Sequence, residues 1–106
     1  MENMDISLEY KLRTEFLKAV NICKNKYGYN PTRFLQMLGK YGPVTAAINL
    51  VVNPKFHDGF TKMWELERLD LTVEATIRRS PYNQLFTQEV LDKAKEKLDN
   101  LGYKEI

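Results

Sequence analysis

The only histidine of the chain, His57, stands directly before an acidic residue, Asp58. A histidine beside a carboxylate is the smallest pattern that could hold a metal ion or carry out acid–base catalysis. Transition-metal sites, however, take several ligands at characteristic spacings, and neither a second histidine nor a cysteine cluster accompanies His57. Glycine-rich phosphate loops and the GxSxG pattern of hydrolases are also missing. We therefore expect no catalytic residue, no metal and no cofactor. An enzyme that uses His57, Asp58 and Glu74 is the third functional interpretation.

A second group of candidate residues follows shortly after, with Trp64, Arg68, Asp70 and Glu74 standing among leucines and valines. Trp64 and Arg68 are in an i, i+4 relation, so on a helix the guanidinium could lie on the indole ring. Arg68 could also pair with Asp70 or Glu74, because charged groups among apolar neighbours must be paired if they are partly buried. Two interpretations stay open: a network that fixes the angle between two helices, or the anchor of a binding surface, since Trp and Arg are enriched at interfaces.

Basic residues are concentrated in the middle of the chain. Residues 24–62 have a net charge of +5, against +2 for the whole chain, because Asp58 is their only acidic residue. The six basic residues of this region are Lys24, Lys26, Arg33, Lys40, Lys55 and Lys62. Such a region either binds the phosphate backbone of a nucleic acid or is a solvated face with few acids.

Residues 31–52 also have the outline of a helix-turn-helix motif, with Gly42 at the turn. The second helix of that motif reads base edges through polar or basic side chains. Here this helix offers only Thr45 and Asn49 and has no Arg or Lys. The alternative is an αα-hairpin whose second helix is buried.

Apolar residues recur at three- or four-residue steps through most of the chain, which predicts helices. The predicted helices are 6–27, 31–41, 44–52, one that begins at His57 or Asp58, 71–79, and one that begins after Thr87. Their expected N-caps are Asn30, Asp58 (or His57), Asp70 or Thr72, and Thr87. The pattern predicts an all-α fold, a compact orthogonal bundle of five to six helices that forms a single domain over residues 1–106.

The same pattern predicts the core. The long first helix and the amphipathic last helix should pack around the 44–52 helix and the helix of Trp64. The 44–52 helix is apolar on nearly all sides, which favours it as the most buried segment. Trp64 falls at core spacing, although Trp64 and Arg68 are also the first residues to test for an exposed role. Cys23 lies on the apolar stripe of the first helix and is expected to be a buried hydrophobe. Lys97 is predicted on the outer face of the last helix.

Composition restricts the class of protein. A chain of 106 residues with 43% apolar and 28% charged residues is typical of one globular domain without disulfide or metal support. The single cysteine excludes an intrachain disulfide and is compatible with a reducing compartment. The first residues lack the basic and apolar regions of a signal peptide, and no apolar stretch approaches ~18 residues. We therefore expect a cytoplasmic protein that does not enter a membrane.

Several segments together carry a family resemblance. They read YNPTRF at 29–34, Gly42 followed by two alanines at 46–47, DGF at 58–60, WEL at 64–66, RLDLTVE at 68–74 and LFT at 85–87. Over residues 27–103 the chain resembles a recurrent all-helical domain of uncharacterised bacterial proteins. That domain occurs alone and also appended to larger restriction or DNA-processing proteins. The resemblance implies an accessory role near nucleic acid and assigns no catalytic residue.

Three functions from different classes follow from the sequence. The leading interpretation is a non-enzymatic interaction module, or adaptor, for a protein partner, with a second copy of the chain (a homodimer) among the candidate partners. Its candidate binding residues are Trp64, Arg68, Asp70 and Glu74, and it requires a contiguous exposed apolar patch on the folded surface. The alternative is a nucleic-acid-binding accessory protein that uses the six basic residues of 24–62. The enzyme interpretation requires a cavity lined by His57 and a carboxylate.

Overall fold

The computed structural model describes the backbone of residues 2–105 and the side chains of residues 7–105. This part of the chain forms five α-helices joined by short 3-10 turns. The helices are α1 (Glu2–Tyr27), α2 (Thr32–Val52), α3 (His57–Glu65), α4 (Val73–Ile77) and α5 (Gln88–Asn100), and the turns are Pro54–Phe56, Leu69–Leu71 and Tyr82–Leu85. Because the described residues contain no strand, the prediction of an all-α fold of five to six helices is confirmed.

Gly42 and Pro43 divide α2 into a first half, residues 32–41, and a second half, residues 43–52. Gly42 has a φ of 83°, which glycine adopts readily and other residues rarely do. Pro43 has no N–H group to continue the hydrogen-bond ladder of the first half. The break predicted between the 31–41 and 44–52 helices therefore lies where the sequence placed it.

Two of the predicted N-caps are confirmed and two are wrong. Thr72 Oγ1 accepts a hydrogen bond from Ala75 N–H, and Thr87 Oγ1 accepts one from Val90 N–H. Asn30 does not cap α2, whose N-cap position is Pro31. Neither His57 nor Asp58 caps α3, because a 3-10 turn already runs into that helix and Asn53 caps the turn by accepting from Lys55 N–H.

The most buried helix is α4, and the second half of α2 is less buried than predicted. All residues of α4 are buried, because this short helix is enclosed by α1, α2 and α5. In the second half of α2, Ala46, Ala47 and Val51 are buried, but Val52 is 47% exposed. The predicted helix 71–79 is also shorter than expected and ends at Ile77, a few residues before the Ser80–Pro81 pair.

The core consists of two neighbouring clusters of apolar side chains. The larger one joins α1, α2, α4 and α5, and it includes Leu12, Phe16 and Val20 from the predicted stripe of α1. The smaller one contains Cys23, Phe60, Met63, Leu69, Ala75 and Leu98. Cys23 is buried, as its position on the stripe of α1 predicted.

Among the described residues, no helix combines the length and the apolar character that crossing a membrane requires.

Trp64 does not belong to this core. Its side chain is 48% exposed, whereas Phe60 and Met63 on the same helix are 4% and 6% exposed. The side chain of residue 64 lies about 100° further round the helix than that of Met63, and this rotation brings it to the solvent side of α3. The prediction that Trp64 occupies a core position is therefore wrong, and Phe60 and Met63 anchor α3 instead.

Candidate ligand cavity beside Glu74

A cavity of about 320 Å³ lies between α1, the start of α2, α3 and the segment that enters α4. Its walls are mostly apolar, and its polar side chains include Tyr29, Thr72 and Glu74. The apolar wall residues include Phe16, Val20, Phe34, Leu50, Phe56, Phe60, Met63, Leu71 and Val73. Exposed residues such as Asn30, Arg33 and Asp58 also line the cavity, so it opens to the surface there. Size and lining are those of a pocket for a small molecule or a large side chain.

The helix ends around the cavity give it its shape. Gly28, with a φ of 65°, ends α1, and its N–H donates to Lys24 O while the N–H of Tyr29 donates to Cys23 O. This turn brings Tyr29 to the cavity wall. Opposite, a methyl group on Gly59 of α3 would lie 3.4 Å from the Tyr29 hydroxyl oxygen. A glycine at position 59 thus leaves space beside that hydroxyl group.

Glu74 supplies a buried carboxylate to the cavity. It lies in the first turn of α4 and is 1% exposed. Its Oε2 accepts a hydrogen bond of 2.5 Å from Lys97 Nζ on α5. Lys97 Nζ also lies 4.9 Å from the centre of the Phe60 ring and 3.5 Å from Leu50 O, to which it donates. These contacts join α4, α5, α3 and α2 around one ion pair.

The second oxygen of the Glu74 carboxylate, Oε1, has no hydrogen-bond donor among the described residues. In that same part of the chain, every side-chain polar atom that is fully shielded from solvent has a partner. Oε1 is therefore not fully shielded, and the space that Glu74 lines is the cavity. The cavity thus contains one carboxylate oxygen that is able to accept a further hydrogen bond.

Two other titratable groups of the cavity wall are uncharged at neutral pH. Burial raises the pKa of the Cys23 thiol, and the thiol donates to Met63 Sδ over 3.8 Å. Burial is also the largest cause that raises the pKa of the Tyr29 hydroxyl. The cavity therefore offers a phenol and a thiol beside an already paired carboxylate, and neither group supplies a nucleophilic anion at pH 7.

The predicted group of Trp64, Arg68, Asp70 and Glu74 is divided between two places. Arg68 forms a two-fold hydrogen bond with Asp70, with both N···O distances 3.0 Å, and its Nη1 donates to Tyr27 OH over 2.8 Å. The guanidinium of Arg68 lies 5.8 Å from the centre of the Tyr27 ring. Arg68 therefore packs against Tyr27 and not against Trp64, as the sequence had suggested it could. The Arg68–Asp70 pair thus ties the 3-10 turn before α4 to the end of α1.

Glu74 pairs with Lys97 and not with Arg68, and this partner was not predicted from the sequence. Lys97 was placed on the outer face of α5, yet its side chain is only 10% exposed. The sequence does contain a signal for this position. Lys97 is three residues after Ala94 and four before Leu101, and this spacing puts it at the edge of the apolar face of α5. A long amphipathic side chain at that edge can turn its charged end inward to a buried acid.

The six basic residues of 24–62 are all exposed. Arg33 and Lys55 come together, since Arg33 Nη1 donates to Lys55 O over 3.4 Å and its guanidinium lies 5.6 Å from the Phe56 ring centre. Lys24 and Lys26 lie in the last turn of α1, Lys40 lies in the last turn of the first half of α2, and Lys62 lies on α3. In the second half of α2, Thr45 is exposed and Asn49 is partly exposed, so the helix-turn-helix interpretation still has only these two base-reading candidates.

His57 lies outside the cavity. Its side chain is exposed, and its ring is 5.6 Å from that of Phe60. Asp58 and Glu74 both line the cavity, so the structure brings these two members of the enzyme interpretation to one space and leaves His57 out. Within the part of the chain that the structure covers, no three His, Cys, Asp or Glu residues are grouped as metal ligands would be.

Large apolar side chains are also exposed outside the cavity. They belong to three helices and are Tyr10, Leu17 and Ile22 on α1, Tyr41 and Val52 on α2, and Trp64 on α3. Three of them are aromatic, so not every aromatic side chain is buried. The six residues are spread over three helices, and the contiguous apolar patch that the interaction interpretation requires stays a prediction.

Comparison with protein-family models, with curated proteins and with solved structures finds no match for this chain. The family resemblance drawn from the sequence segments therefore stays a prediction.

Proposed function

We propose that the protein is a non-enzymatic interaction module that takes an apolar group of its partner into the cavity beside Glu74. The observation that carries the proposal is the cavity itself, which is large, mostly apolar and open at Arg33 and Asp58. Apolar walls with a few placed polar groups are typical of sites that bind a group and fix its orientation.

The polar groups of the cavity favour binding over catalysis. Glu74 is held by Lys97, and the raised pKa values of Cys23 and Tyr29 keep both groups protonated. General acid–base catalysis works best with a group whose pKa lies near the operating pH, and nucleophilic catalysis needs a base next to the nucleophile.

The place where the module acts is proposed from its single cysteine. Cys23 is free and buried, which supports a reducing compartment such as the cytoplasm.

The test uses apolar probes and a variant that fills the cavity. Ala19 lines the cavity on α1, so Ala19→Trp would place an indole ring inside it. Ile22→Trp is the matched control, because Ile22 lies on the same helix, is 36% exposed and is not part of the wall. We expect benzene and naphthalene to shift the backbone amide NMR signals of the cavity wall in the unmodified protein and in Ile22→Trp, and not to shift them in Ala19→Trp. Probes that shift only signals remote from the cavity would contradict the proposal.

A second candidate function, nucleic-acid binding, is favoured by one observation. None of the six basic residues of 24–62 forms an ion pair with an acidic residue in the described part of the chain, whereas Lys18, Lys93, Lys95 and Lys97 do. Exposed basic side chains without acidic neighbours are available to phosphates. This function would use the surface and not the cavity, so the two proposals can be tested separately.

A further inference from the structure

The cavity also restricts the chemistry of the group that it takes. We infer that the occupant is an uncharged, flat group of about two fused rings that donates a hydrogen bond to Glu74. This inference rests on the proposed function and names the class of group that the partner would present.

The size of the group follows from the volume of the cavity. A cavity of about 150 Å³ with apolar walls holds one benzene molecule. The cavity here has about 320 Å³, and its wall includes the aromatic rings of Phe16, Phe34 and Phe60. A flat bicyclic group would fill this space and contact the aromatic rings, which favour stacked or edge-on contacts with another ring.

The absence of charge follows from the groups that line the cavity. The charge of Glu74 is already paired with Lys97. Arg33 and Asp58, the other charged residues of the lining, are exposed and opposite in sign. A charged group that entered between the phenylalanines would lose its hydration, and the charges of Arg33 and Asp58 lie at the exposed mouth of the cavity and not among these buried rings.

The hydrogen-bond donor follows from Glu74. Glu74 lines the cavity, and its Oε1 is not fully shielded and has no donor among the described residues. A carboxylate oxygen accepts hydrogen bonds and does not donate them, so the complementary atom of the occupant is an N–H or O–H group. Because this bond would form away from bulk water and to a charged acceptor, its loss should weaken binding at least about tenfold.

An indole ring combines these properties, and it occurs both as a free molecule and as the side chain of tryptophan. The test therefore compares indole with benzothiophene, which has the same shape and no N–H group. A short peptide of glycine and serine with a central tryptophan forms the other arm. Binding is followed through the amide NMR signals of the cavity wall in the full chain. We expect indole to bind at least about tenfold more tightly than benzothiophene, and the peptide to shift the same signals as indole.

A pair of double variants shows whether Glu74 is the acceptor. Glu74→Leu/Lys97→Met removes both partners of the buried pair together, which avoids leaving one charge unpaired. It should bind indole and benzothiophene equally. The control, Arg78→Met/Glu105→Leu, removes the ion pair between Arg78 and Glu105, outside the cavity lining, and should keep the preference for indole.

The outcomes separate the inference from the proposed function. Equal binding of indole and benzothiophene by the unmodified protein would overturn the inference and leave the cavity as a binding site. Binding of indole without binding of the peptide would support the donor chemistry and overturn a protein side chain as its source. If neither indole nor benzothiophene shifts the signals of the cavity wall, the proposed function fails as well.

Discussion

At the scale of single residues, Trp64 shows how far a side chain can lie from the position that its spacing suggests. Because it is 48% exposed, Trp64→Ala should lower the free energy of unfolding by less than about 1 kcal/mol. Phe60→Ala, on the same helix and 4% exposed, should lower it by about 3–5 kcal/mol. Urea unfolding of both variants measures the difference. A large loss for Trp64→Ala would mean that the indole is part of the core after all.

Glu67 has an unusual backbone conformation at the end of α3. Its φ is 59°, a left-handed value that costs a non-glycine residue about 1–2 kcal/mol. The next N–H group, that of Arg68, donates to Met63 O and closes the helix end. Glu67→Gly should therefore raise the free energy of unfolding, by up to about 1 kcal/mol after the greater entropy of glycine in the unfolded chain is included.

The control for this substitution is Lys62→Gly, at an exposed position inside α3. Glycine there gains no relief of strain and should lower the free energy of unfolding by about 0.5–1 kcal/mol. Thermal unfolding of the two variants gives the sign of each effect. If both substitutions destabilise the protein equally, the left-handed conformation of Glu67 carries no strain.

Residue roles that depend on near neighbours in the sequence could be predicted, and others could not. The caps Thr72 and Thr87 bond to N–H groups three residues ahead, so a short sequence window contains both partners. The Arg68–Asp70 pair is local in the same sense. The partner of Glu74 is 23 residues away on another helix, and only the packing of α4 on α5 brings the two side chains together.

At the scale of helices, the Glu74–Lys97 pair ties α5 to the buried helix α4. The side chains of Lys97 and Glu74 are 10% and 1% exposed. Lys97→Met should lower the free energy of unfolding by about 3–5 kcal/mol, because it leaves the Glu74 charge buried without a partner. The double variant Glu74→Leu/Lys97→Met should be close to the unmodified protein in stability, since no unpaired charge remains.

A pair on the surface of α5 provides the comparison. Lys95 and Asp99 form an ion pair whose side chains are 50% and 53% exposed. Lys95→Met should therefore change the free energy of unfolding by less than about 1 kcal/mol. Urea unfolding of the three variants tests the assignment. Similar losses for Lys95→Met and Lys97→Met would show that burial of the Glu74–Lys97 pair has no energetic consequence.

The Arg68–Asp70 pair makes the contact between α1 and the turn before α4 sensitive to acid. Hydrogen bonds from Arg68 are the largest cause that lowers the pKa of Asp70, so the unfolded chain binds this proton more readily than the folded one. The pair therefore stabilises the fold above the unfolded pKa of about 3.9, and this contribution is lost as the pH falls through the lower folded pKa.

Asp70→Asn should therefore reduce the acid dependence of stability. The urea midpoint of the unmodified protein should fall as the pH is lowered from 5 to below the usual range of aspartate, about 4, and the midpoint of the variant should fall less. Glu65→Gln is the control, because it removes an exposed carboxylate that has no ion pair among the described residues. A parallel fall for Asp70→Asn and the unmodified protein would exclude Asp70 as a source of the acid dependence.

At the scale of the whole molecule, the sequence predicted the fold better than the candidate site. Periodicity, glycines and prolines are local signals, and they located the break at Gly42–Pro43, the last residue of α1 and the start of α5 after Thr87. The cavity is formed by α1, α3 and the segments around Pro31 and Thr72, which are distant in the sequence. Its existence depends on how the helices leave space between them, and the pattern of apolar residues along the chain does not encode that space.

The six exposed basic residues of 24–62 allow a test of whether this part of the surface binds nucleic acid. If this region binds nucleic acid, its affinity for a fluorescent DNA duplex should fall steeply with salt, because each phosphate contact releases counterions. Arg33→Glu/Lys40→Glu should weaken binding and make the slope of log K against log salt less negative by about 2. Both side chains are exposed, so the variant should keep its fold.

The control for this test reverses the same number of charges elsewhere. Lys93→Glu/Lys95→Glu changes two exposed lysines on α5, outside the basic region, and should leave the salt slope close to that of the unmodified protein. Equal weakening in both double variants would mean that only net charge matters and that residues 24–62 form no specific surface. No binding at low salt, or binding that does not respond to salt, would exclude the nucleic-acid function. The cavity would then be the feature on which a function of this protein has to be built.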